Sequence, residues 1–251
     1  MSGILWFDGL VVGWLVVAVA TFVALFFVAA PYGRHRRGGW GPTLSNRLGW
    51  IIMEAPALLT FTVFFALSRR MGPVLLALSV MWGAHYIHRA LIYPLELRGR
   101  NKRMPVALVA MALMFNTVNG FINGYYLFFL SGYPIAWLWD ARFLTGLALF
   151  IAGFVINRQA DLTLLRLRAP GESGYKIPYG GLYRWISCPN YLGEIVEWVG
   201  WAVATWSQPG LAFAAWTIAN LAPRARAHHV WYREHFPDYP PGRKALLPGV
   251  W

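Results

Sequence analysis

Polar side chains that could carry out chemistry stand in two neighbouring apolar stretches of this chain. Glu54 lies in the first, within Ile51–Pro56, and Tyr86 lies in the middle of the second. Ionisable groups at membrane depth are costly and are usually retained for a function. A tyrosine hydroxyl next to a carboxylate can polarise a carbonyl oxygen and deliver a proton to it. We therefore predict that Glu54 and Tyr86 form a catalytic pair.

Each member of this pair also has a structural interpretation. Glu54 alone could hold two helices together, with Pro56 kinking its helix and freeing a main-chain carbonyl. Tyr86 shares a helix face with Arg89 and Tyr93 at i, i+3 and i+7, which also describes an interfacial aromatic residue beside a snorkelling arginine. The mid-span position of Tyr86 disfavours that alternative, and Glu54 and Tyr86 together favour a site.

Three further polar stripes follow helical spacing in the second half of the chain. Their members are Asn157, Asp161 and Arg168; Asn190, Glu194 and Glu197; and Arg224, His228 and Tyr232. Pro189 favours a helix start, so Asn190 would stand where main-chain N–H groups suit an anion. Basic side chains suit phosphates, whereas carboxylates and amides suit ribose hydroxyls and a carboxamide. We predict that the stripes converge on one large polar ligand; the alternative is three solvated faces with structural pairs.

The elements that position these residues are predicted to be membrane-spanning helices. The chain is 58% hydrophobic and only 13% charged, and that charged fraction is low for a soluble domain. Seven stretches are long enough to cross a bilayer: roughly 4–30, 48–68, 73–95, 105–131, 136–157, 190–206 and 209–223. Because the sequence shows no internal repeat and no low-complexity tract, residues 1–251 are predicted to form a single all-α membrane domain.

The net charge of +12 is interpreted as membrane topology rather than as a sign of nucleic-acid binding. The 22 Lys and Arg residues fall on one side of the membrane if the N-terminus is outside, except for Arg69, Arg70, Arg142 and, within a span, Arg89. Positively charged loops favour the cytoplasm. We therefore predict a polytopic protein with seven transmembrane helices, an external N-terminus, a cytoplasmic C-terminus and a cytoplasmic segment 158–189.

Several common sites are excluded because their motifs are missing. No strand pattern is visible and no glycine-rich fingerprint follows one, so a Rossmann domain and a P-loop are not expected. Cys188 is the single cysteine, which excludes an internal disulfide and a thiolate metal cluster. The six histidines are fewer and more widely spaced than a membrane di-iron hydroxylase needs, so we predict no metal site.

The motifs of this chain resemble those of the steroid 5α-reductases, in a bacterial-type homologue. The similarity is dense over 150–251, clear over 48–100 and weak elsewhere. The segments that carry it are Pro170–Tyr183, Asn190–Trp198, Ala204–Ser207, Asp238–Pro240, Arg243–Leu246, His85–Arg89 and Glu54–Pro56. The Asn190–Glu194 piece alone also recurs in sterol reductases and isoprenylcysteine methyltransferases, whereas the combination is specific.

The resemblance implies bound NADPH and reduction of the Δ4 double bond of a 3-oxo steroid or a related enone lipid. Tyr86 then matches the catalytic tyrosine and Glu54 its glutamate partner, which together polarise the 3-keto oxygen. Met53 and Arg89 are predicted to contact the substrate, and Met53 replaces the glutamine of the eukaryotic steroid enzymes. The positions that match nucleotide contacts are Asn157, Asp161, Arg168, Tyr175, Asn190, Glu194, Arg224, His228 and Tyr232.

These expectations extend to the surroundings of the protein and leave competing functions open. About residues 1–100 would bind the lipid substrate, and about residues 150–251 would bind NADPH on the cytoplasmic side of a bacterial inner membrane or of the endoplasmic reticulum. Membrane lipids and the enone lipid are the expected partners, without nucleic acid. The sequence leaves the oligomeric state open, and a monomer is compatible with it. The competitors are an enoyl-thioester reductase, an S-adenosylmethionine-dependent methyltransferase of the isoprenylcysteine type, and a non-enzymatic transporter or lipid-binding protein.

Overall fold

Helices form most of the regular structure in the part of the chain that the computed structural model describes, which is residues 3–28, 33–35, 38–97, 102–167, 172 and 174–251. The α-helices are α1 (Leu5–Phe27), α2 (Asn46–Leu67), α3 (Pro73–Ile87), α4 (Tyr93–Glu96), α5 (Val106–Tyr125), α6 (Ala141–Arg166), α7 (Pro189–Thr205) and α8 (Gln208–His235). A π-helical turn, His88–Ile92, joins α3 to α4. A second one, Tyr126–Leu130, extends α5.

Each predicted span coincides with a helical stretch, which confirms the predominantly helical fold. Four of the described stretches are long and apolar enough to cross a membrane: Leu5–Phe27, Asn46–Leu67, Val106–Leu130 and Ala141–Arg166. The prediction of a membrane protein agrees with these four helices. The count of seven spans and the orientation of the termini remain predictions.

Two helices extend beyond the membrane spans predicted for them, in agreement with the helical spacing of the polar stripes. The stretch 136–157 begins in a separate 3₁₀ segment, Ile135–Trp139, and its helix α6 then runs on to Arg166. The stretch 209–223 stops at a proline, yet α8 contains Pro223 and continues to His235. Both helices therefore extend beyond their apolar parts, and these polar extensions carry Asp161, His228 and Tyr232.

A small sheet contradicts the expectation that the chain has no strands. β1 (Thr43–Ser45) pairs antiparallel with β2 (Arg103–Pro105). Three residues per strand are too few to show an alternating pattern in the sequence. The sheet brings the starts of α2 and α5 together, and the two helices stay close because Gly120 of α5 packs on the main chain of Ala57.

Glycines let α6 and α7 approach each other more closely than side chains would allow. A Cβ at Gly153 would overlap the main-chain nitrogen of Glu197, and a Cβ at Gly193 would overlap that of Asn157. Gly146 of α6 and Gly200 of α7 pack in the same way against the main chain of the other helix, about two turns away. Small residues at helix interfaces in membranes permit this backbone approach. The polar residues of α6 and α7 are consequently held side by side.

Gly193→Ala is expected to destabilise the protein, because the added methyl group must separate α7 from α6. Overpacking of this kind costs about 1–3 kcal/mol. The measurement is the apparent melting temperature in detergent, which should fall by several degrees. Gly83→Ala is the matched control, since its nearest neighbour outside the helix backbone, the Cδ1 atom of Ile87, lies 4.0 Å from the added Cβ. Equal melting temperatures for the two variants would contradict this packing.

An aromatic core lies between α2, α3, α7 and α8. Trp82 stacks on Phe61 with ring centroids 4.8 Å apart and contacts Trp198, Trp201 and Phe213 at 5.2–5.7 Å. The indole nitrogen of Trp82 donates to the carbonyl of Ala57 at 3.2 Å. This core excludes water from one side of Tyr86, whose ring lies 4.8 Å from that of Trp82.

Thiol labelling tests the predicted topology, but Cys188 is a poor probe because it is buried. Burial raises the pKa of the Cys188 thiol to about 12, so little reactive thiolate exists near neutral pH. In a Cys188→Ala background, we expect Arg184→Cys to react with a membrane-impermeant maleimide only from the cytoplasmic side of sealed vesicles. The control Met71→Cys, at a side chain 55% exposed between α2 and α3, should react only from outside. External labelling of Arg184→Cys would contradict the topology.

Candidate active site

Glu54 and Tyr86 are brought together through a third residue, Asn116. Asn116 of α5 donates its side-chain amide to the Oε2 atom of Glu54 at 3.2 Å and to the carbonyl of Met53 at 2.6 Å. The hydroxyl of Tyr86 donates to the Oδ1 atom of Asn116 at 3.5 Å. Tyr86 is only 2% exposed, whereas Glu54 is partly exposed. The predicted catalytic pair is therefore one hydrogen-bonded unit built from α2, α3 and α5.

Two more asparagines of α5 continue this chain of hydrogen bonds. Asn119 donates to the Tyr86 hydroxyl at 3.4 Å, and Asn123 donates to the side chain of Asn119 at 3.1 Å. The indole of Trp201 donates to Asn123 at 2.9 Å. The sequence prediction missed Asn116, Asn119 and Asn123. Their spacing of i, i+3 and i+7 within an apolar stretch is the signal that could have revealed them.

Arg89 occupies the centre of a second polar cluster. Its guanidinium donates to Asp161 of α6 at 3.2 Å and to Glu194 of α7 at 3.3 Å. The rings of Trp50 and Tyr93 flank the guanidinium, with centroids 4.6 and 4.9 Å away. The structure thus places Arg89, a predicted substrate contact, among residues predicted to bind the cofactor.

Amides of α6 and α7 complete this cluster. Asn157 donates to the carbonyl of Asn190 at 2.9 Å and to Glu194 at 3.4 Å, while the Asn190 amide donates to Asp161 at 3.2 Å. Asn190 does stand at a helix start, as predicted. However, the main-chain amides of the next two residues donate to the carbonyl of Cys188 at 3.1 and 3.2 Å. These two main-chain N–H groups are therefore already bonded within the helix start. The group available there for a ligand is the side chain of Asn190.

Glu197 does not join the cluster around Arg89, although it belongs to the same predicted stripe. It is 0% exposed, and its Oε1 atom lies 2.8 Å from the Nδ1 atom of His85. Its Oε2 atom has no hydrogen-bond partner among the described residues. The ring of His85 packs against Trp198 at 4.5 Å and Tyr86 at 5.0 Å. Glu197 and His85 therefore form a buried pair directly behind Tyr86.

The stripe on α8 forms a third cluster with Tyr191 of α7. Arg224 donates to the Tyr191 hydroxyl at 3.0 Å, and that hydroxyl lies 3.0 Å from the Nε2 atom of His228. The other ring nitrogen of His228 lies 3.0 Å from His35. Burial and the nearby charges of Arg34 and Arg224 hold the pKa of His228 well below its usual value, so the ring is neutral at physiological pH.

Arg34 contacts the two remaining predicted cofactor residues, Tyr175 and Tyr232. Its guanidinium donates to the hydroxyl of Tyr232 at 3.2 Å and lies 4.3 Å from the centre of that ring. The rings of Trp231 and Tyr175 lie 4.9 and 5.2 Å from the same guanidinium. Burial raises the pKa of the Tyr232 hydroxyl, which therefore keeps its proton.

The predicted cofactor residues thus fall into two neighbouring groups. Asn157, Asp161, Asn190 and Glu194 surround Arg89, whereas Tyr175, Arg224, His228 and Tyr232 gather around Arg34 and Tyr191. The groups meet on α7, where Asn190 serves the first and Tyr191 serves the second. Arg168 lies outside the described residues.

Known proteins are similar to this chain over nearly its whole length. The sequence model of the 3-oxo-5-alpha-steroid 4-dehydrogenase family matches residues 102–251. A steroid 5-alpha-reductase of Gossypium hirsutum is 44% identical over 243 residues, which cover 94% of each chain. The chain belongs to the 3-oxo-5-alpha-steroid 4-dehydrogenase family.

Other members of the 3-oxo-5-alpha-steroid 4-dehydrogenase family are similarly close. A steroid 5-alpha-reductase of Arabidopsis thaliana is 43% identical and covers 92% of this chain and 91% of its own length. The 3-oxo-5-alpha-steroid 4-dehydrogenase 1 of Bos taurus is 42% identical over 92% of both chains. These matches confirm the family resemblance and include the first half of the chain, where Glu54 and Tyr86 lie.

The described residues contain no cluster of side chains arranged as metal ligands. No group of three His, Cys, Asp or Glu side chains is placed to hold an ion there. His85 pairs with a carboxylate, and His228 contacts His35 and a tyrosine.

Proposed function

We propose that the protein reduces the Δ4 double bond of a 3-oxo steroid, or of a related enone lipid, with NADPH. The observation that carries this proposal is the hydrogen-bonded unit of Glu54, Asn116 and Tyr86 in a chain that matches steroid 5-alpha-reductases over nearly its full length. A carboxylate, an amide and a phenol next to an aromatic core suit the carbonyl end of an apolar enone.

The two groups of polar residues fit the chemistry of NADPH. Cationic and hydroxyl donors around Arg224, Arg34 and Tyr232 suit phosphates, and the carboxylates and amides around Asp161 and Asn157 suit ribose hydroxyls and the carboxamide. When bound, NADPH supplies a hydride to the β-carbon of the enone. We propose that these side chains of α6, α7 and α8 hold NADPH, and that Arg89 fixes the carboxylates of Asp161 and Glu194.

The residues around the enone oxygen stabilise the negative charge that develops there during hydride transfer. As hydride reaches the β-carbon, negative charge builds on the 3-keto oxygen, and the hydroxyl of Tyr86 donates a hydrogen bond to that oxygen. A proton that comes from solvent then adds to the α-carbon, which restores the carbonyl group and completes the saturated ketone. Glu54 holds the amide that Tyr86 contacts, and its carboxyl group provides negative charge and an exchangeable proton next to the tyrosine. The aromatic core around Trp82 excludes water from this end of the site, which strengthens the electrostatic contribution of the hydroxyl.

The division of the chain follows from this placement of groups. We propose that the first hundred residues, with Asn116 of α5, supply the steroid site, with Met53 and Arg89 at its border. Residues from about 150 onward supply the NADPH site. The apolar substrate would enter from the membrane lipids and NADPH from the cytoplasm. Arg89 connects the halves, since it lies three residues after Tyr86 and pairs with α6 and α7.

A substrate panel tests this function against its nearest competitors. Purified protein is incubated with NADPH and 3-oxo-Δ4-steroids, with enoyl thioesters, and with S-adenosylmethionine and a prenylcysteine. We expect 5α-reduced 3-oxo steroids as products identified by mass spectrometry. Reduction of the thioesters alone, or methyl transfer, would replace the proposal with the corresponding competitor.

Asp161→Ala is expected to weaken NADPH binding, because Arg89 and Asn190 both lose a partner. The loss of a buried charge-assisted hydrogen bond costs about 1.5–3 kcal/mol, which corresponds to roughly a 10–150-fold rise in Kd. Arg158→Ala is the matched control, since Arg158 is also on α6 but pairs with Glu96. NADPH titration followed by fluorescence measures both. Equal affinities in the two variants would contradict the placement of the cofactor.

A further inference from the structure

We propose that Asn116 is a positioning residue. It fixes the side chains of Glu54 and Tyr86 relative to each other and orients the hydroxyl proton of Tyr86. The inference rests on the proposed function and adds to it a residue on α5, a helix that carries no residue of the predicted site. Asn116 is 5% exposed and uses both ends of its amide on the catalytic pair.

The partners of Asn116 fix which way its amide points. The carbonyl of Met53, at 2.6 Å, can only accept a hydrogen bond, so the NH₂ end must face it. The same NH₂ group reaches Glu54 at 3.2 Å. The Oδ1 atom is therefore left for Tyr86, whose hydroxyl must be the donor at 3.5 Å.

Asn119 fixes the other side of the Tyr86 hydroxyl. Its amide donates to the Tyr86 oxygen at 3.4 Å, which occupies a lone pair. The proton of Tyr86 is then directed towards Asn116. Since the hydrogen bond from Tyr86 to Asn116 is long, the Tyr86 hydroxyl forfeits little hydrogen-bond energy when it turns from the Oδ1 atom of Asn116 to an arriving keto oxygen. The Tyr86 hydroxyl is thus oriented by two asparagines but can still exchange its acceptor.

The packing of α5 against α2 makes this arrangement rigid. Gly120, one turn after Asn116, packs so closely on Ala57 that an added Cβ would lie 3.1 Å from its Cα atom. Asn116 consequently reaches the main chain of α2 as well as the side chain of Glu54. A displacement of its amide would therefore move both members of the pair.

A double-mutant cycle separates positioning through Tyr86 from a general structural role. kcat for a 3-oxo-Δ4-steroid is measured in the parent, Asn116→Leu, Tyr86→Phe and the double variant, with product quantified by mass spectrometry. We expect Asn116→Leu to lower kcat roughly 10–150-fold, by loss of buried hydrogen bonds. The double variant should be within about threefold of Tyr86→Phe alone, because residues that act as a unit are not additive.

Thr117→Val is the matched control on the same helix. It removes an exposed hydroxyl that donates to the carbonyl of Leu113 at 2.8 Å, outside the chain of hydrogen bonds around Tyr86. Its effect on kcat should be small and the same in the parent and Tyr86→Phe backgrounds. NADPH binding and melting temperature verify folding, and Asn116→Ala, which only removes atoms, replaces Asn116→Leu if the latter does not fold.

The outcomes distinguish this inference from the function on which it rests. If the parent reduces no 3-oxo-Δ4-steroid, the proposed function and the inference both fail. If the parent is active but Asn116→Leu and Asn116→Ala retain its kcat, Asn116 has no positioning role. Multiplicative losses in the double variant would likewise overturn the inference and leave the proposed function standing.

Discussion

Tyr86→Phe is expected to lower turnover by a factor on the order of 10²–10³ while NADPH binds as before. Phenylalanine keeps the ring that packs on Trp82 and His85 and removes only the hydroxyl. The negative charge on the enone oxygen then loses its donor in a place from which water is excluded. The measurement is kcat for a 3-oxo-Δ4-steroid, together with the Kd of NADPH.

Tyr133→Phe provides the control for this experiment. Its hydroxyl also donates a short hydrogen bond, to the carbonyl of Thr205 at 2.5 Å, but it belongs to the segment after α5 and not to the candidate site. We expect this variant to lose some stability without a comparable loss of kcat. Near-parental turnover of Tyr86→Phe would remove the tyrosine from the mechanism.

Glu54→Gln is expected to lower kcat by about 10² or more, within the range attributed to a general acid or base. Glutamine has the same shape, and its carbonyl oxygen can still accept from Asn116, so the fold should persist. What it loses is the negative charge and the exchangeable proton next to the tyrosine. kcat and melting temperature are measured on the same preparation.

Glu96→Gln controls for the loss of a carboxylate elsewhere in the protein. Glu96 forms an ion pair with Arg158 on the outer side of α6. Its replacement should leave kcat near the parental value. If Glu54→Gln folds and turns over like Glu96→Gln, the charge of Glu54 serves only to join helices.

Much of the helical framework could be predicted because long apolar stretches have few alternatives in a membrane. Hydropathy does not show how far two of these helices continue into polar sequence, although the helical spacing of the polar stripes predicted that they do. Both α6 beyond residue 157 and α8 beyond Pro223 are stabilised by contacts with other elements, such as Asp161 with Arg89, that hydropathy does not register. The short strands β1 and β2 depend on each other, and neither shows a pattern of its own.

The candidate site shows the same distinction between local spacing and long-range contact. Helical spacing correctly aligned Asn157 with Asp161. It also placed Tyr86 and Arg89 on one face, but the structure directs Tyr86 to α5 and Arg89 to α6 and α7. The π-helical turn that begins at His88 adds a residue to the turn, and such a change of period is not visible in the sequence.

The asparagines of α5 were overlooked for a different reason. An amide in an apolar stretch carries no charge, and the i, i+3 and i+7 spacing of these amides does not show which helix they face. Asn116 becomes informative because the sheet of β1 and β2 and the contact of Gly120 with Ala57 bring α5 against α2. These are tertiary contacts, and they decide which of the polar side chains meet.

Isotope transfer tests the proposed reaction most directly. The protein is incubated in ordinary water with a 3-oxo-Δ4-steroid and, separately, with each of the two NADPH forms that carry deuterium at nicotinamide C4. One of the two forms should yield a 5α-reduced product with a single deuterium at the former β-carbon of the enone. Reduced product without deuterium from both forms, or no reduced steroid at all, would contradict hydride transfer from NADPH to this carbon.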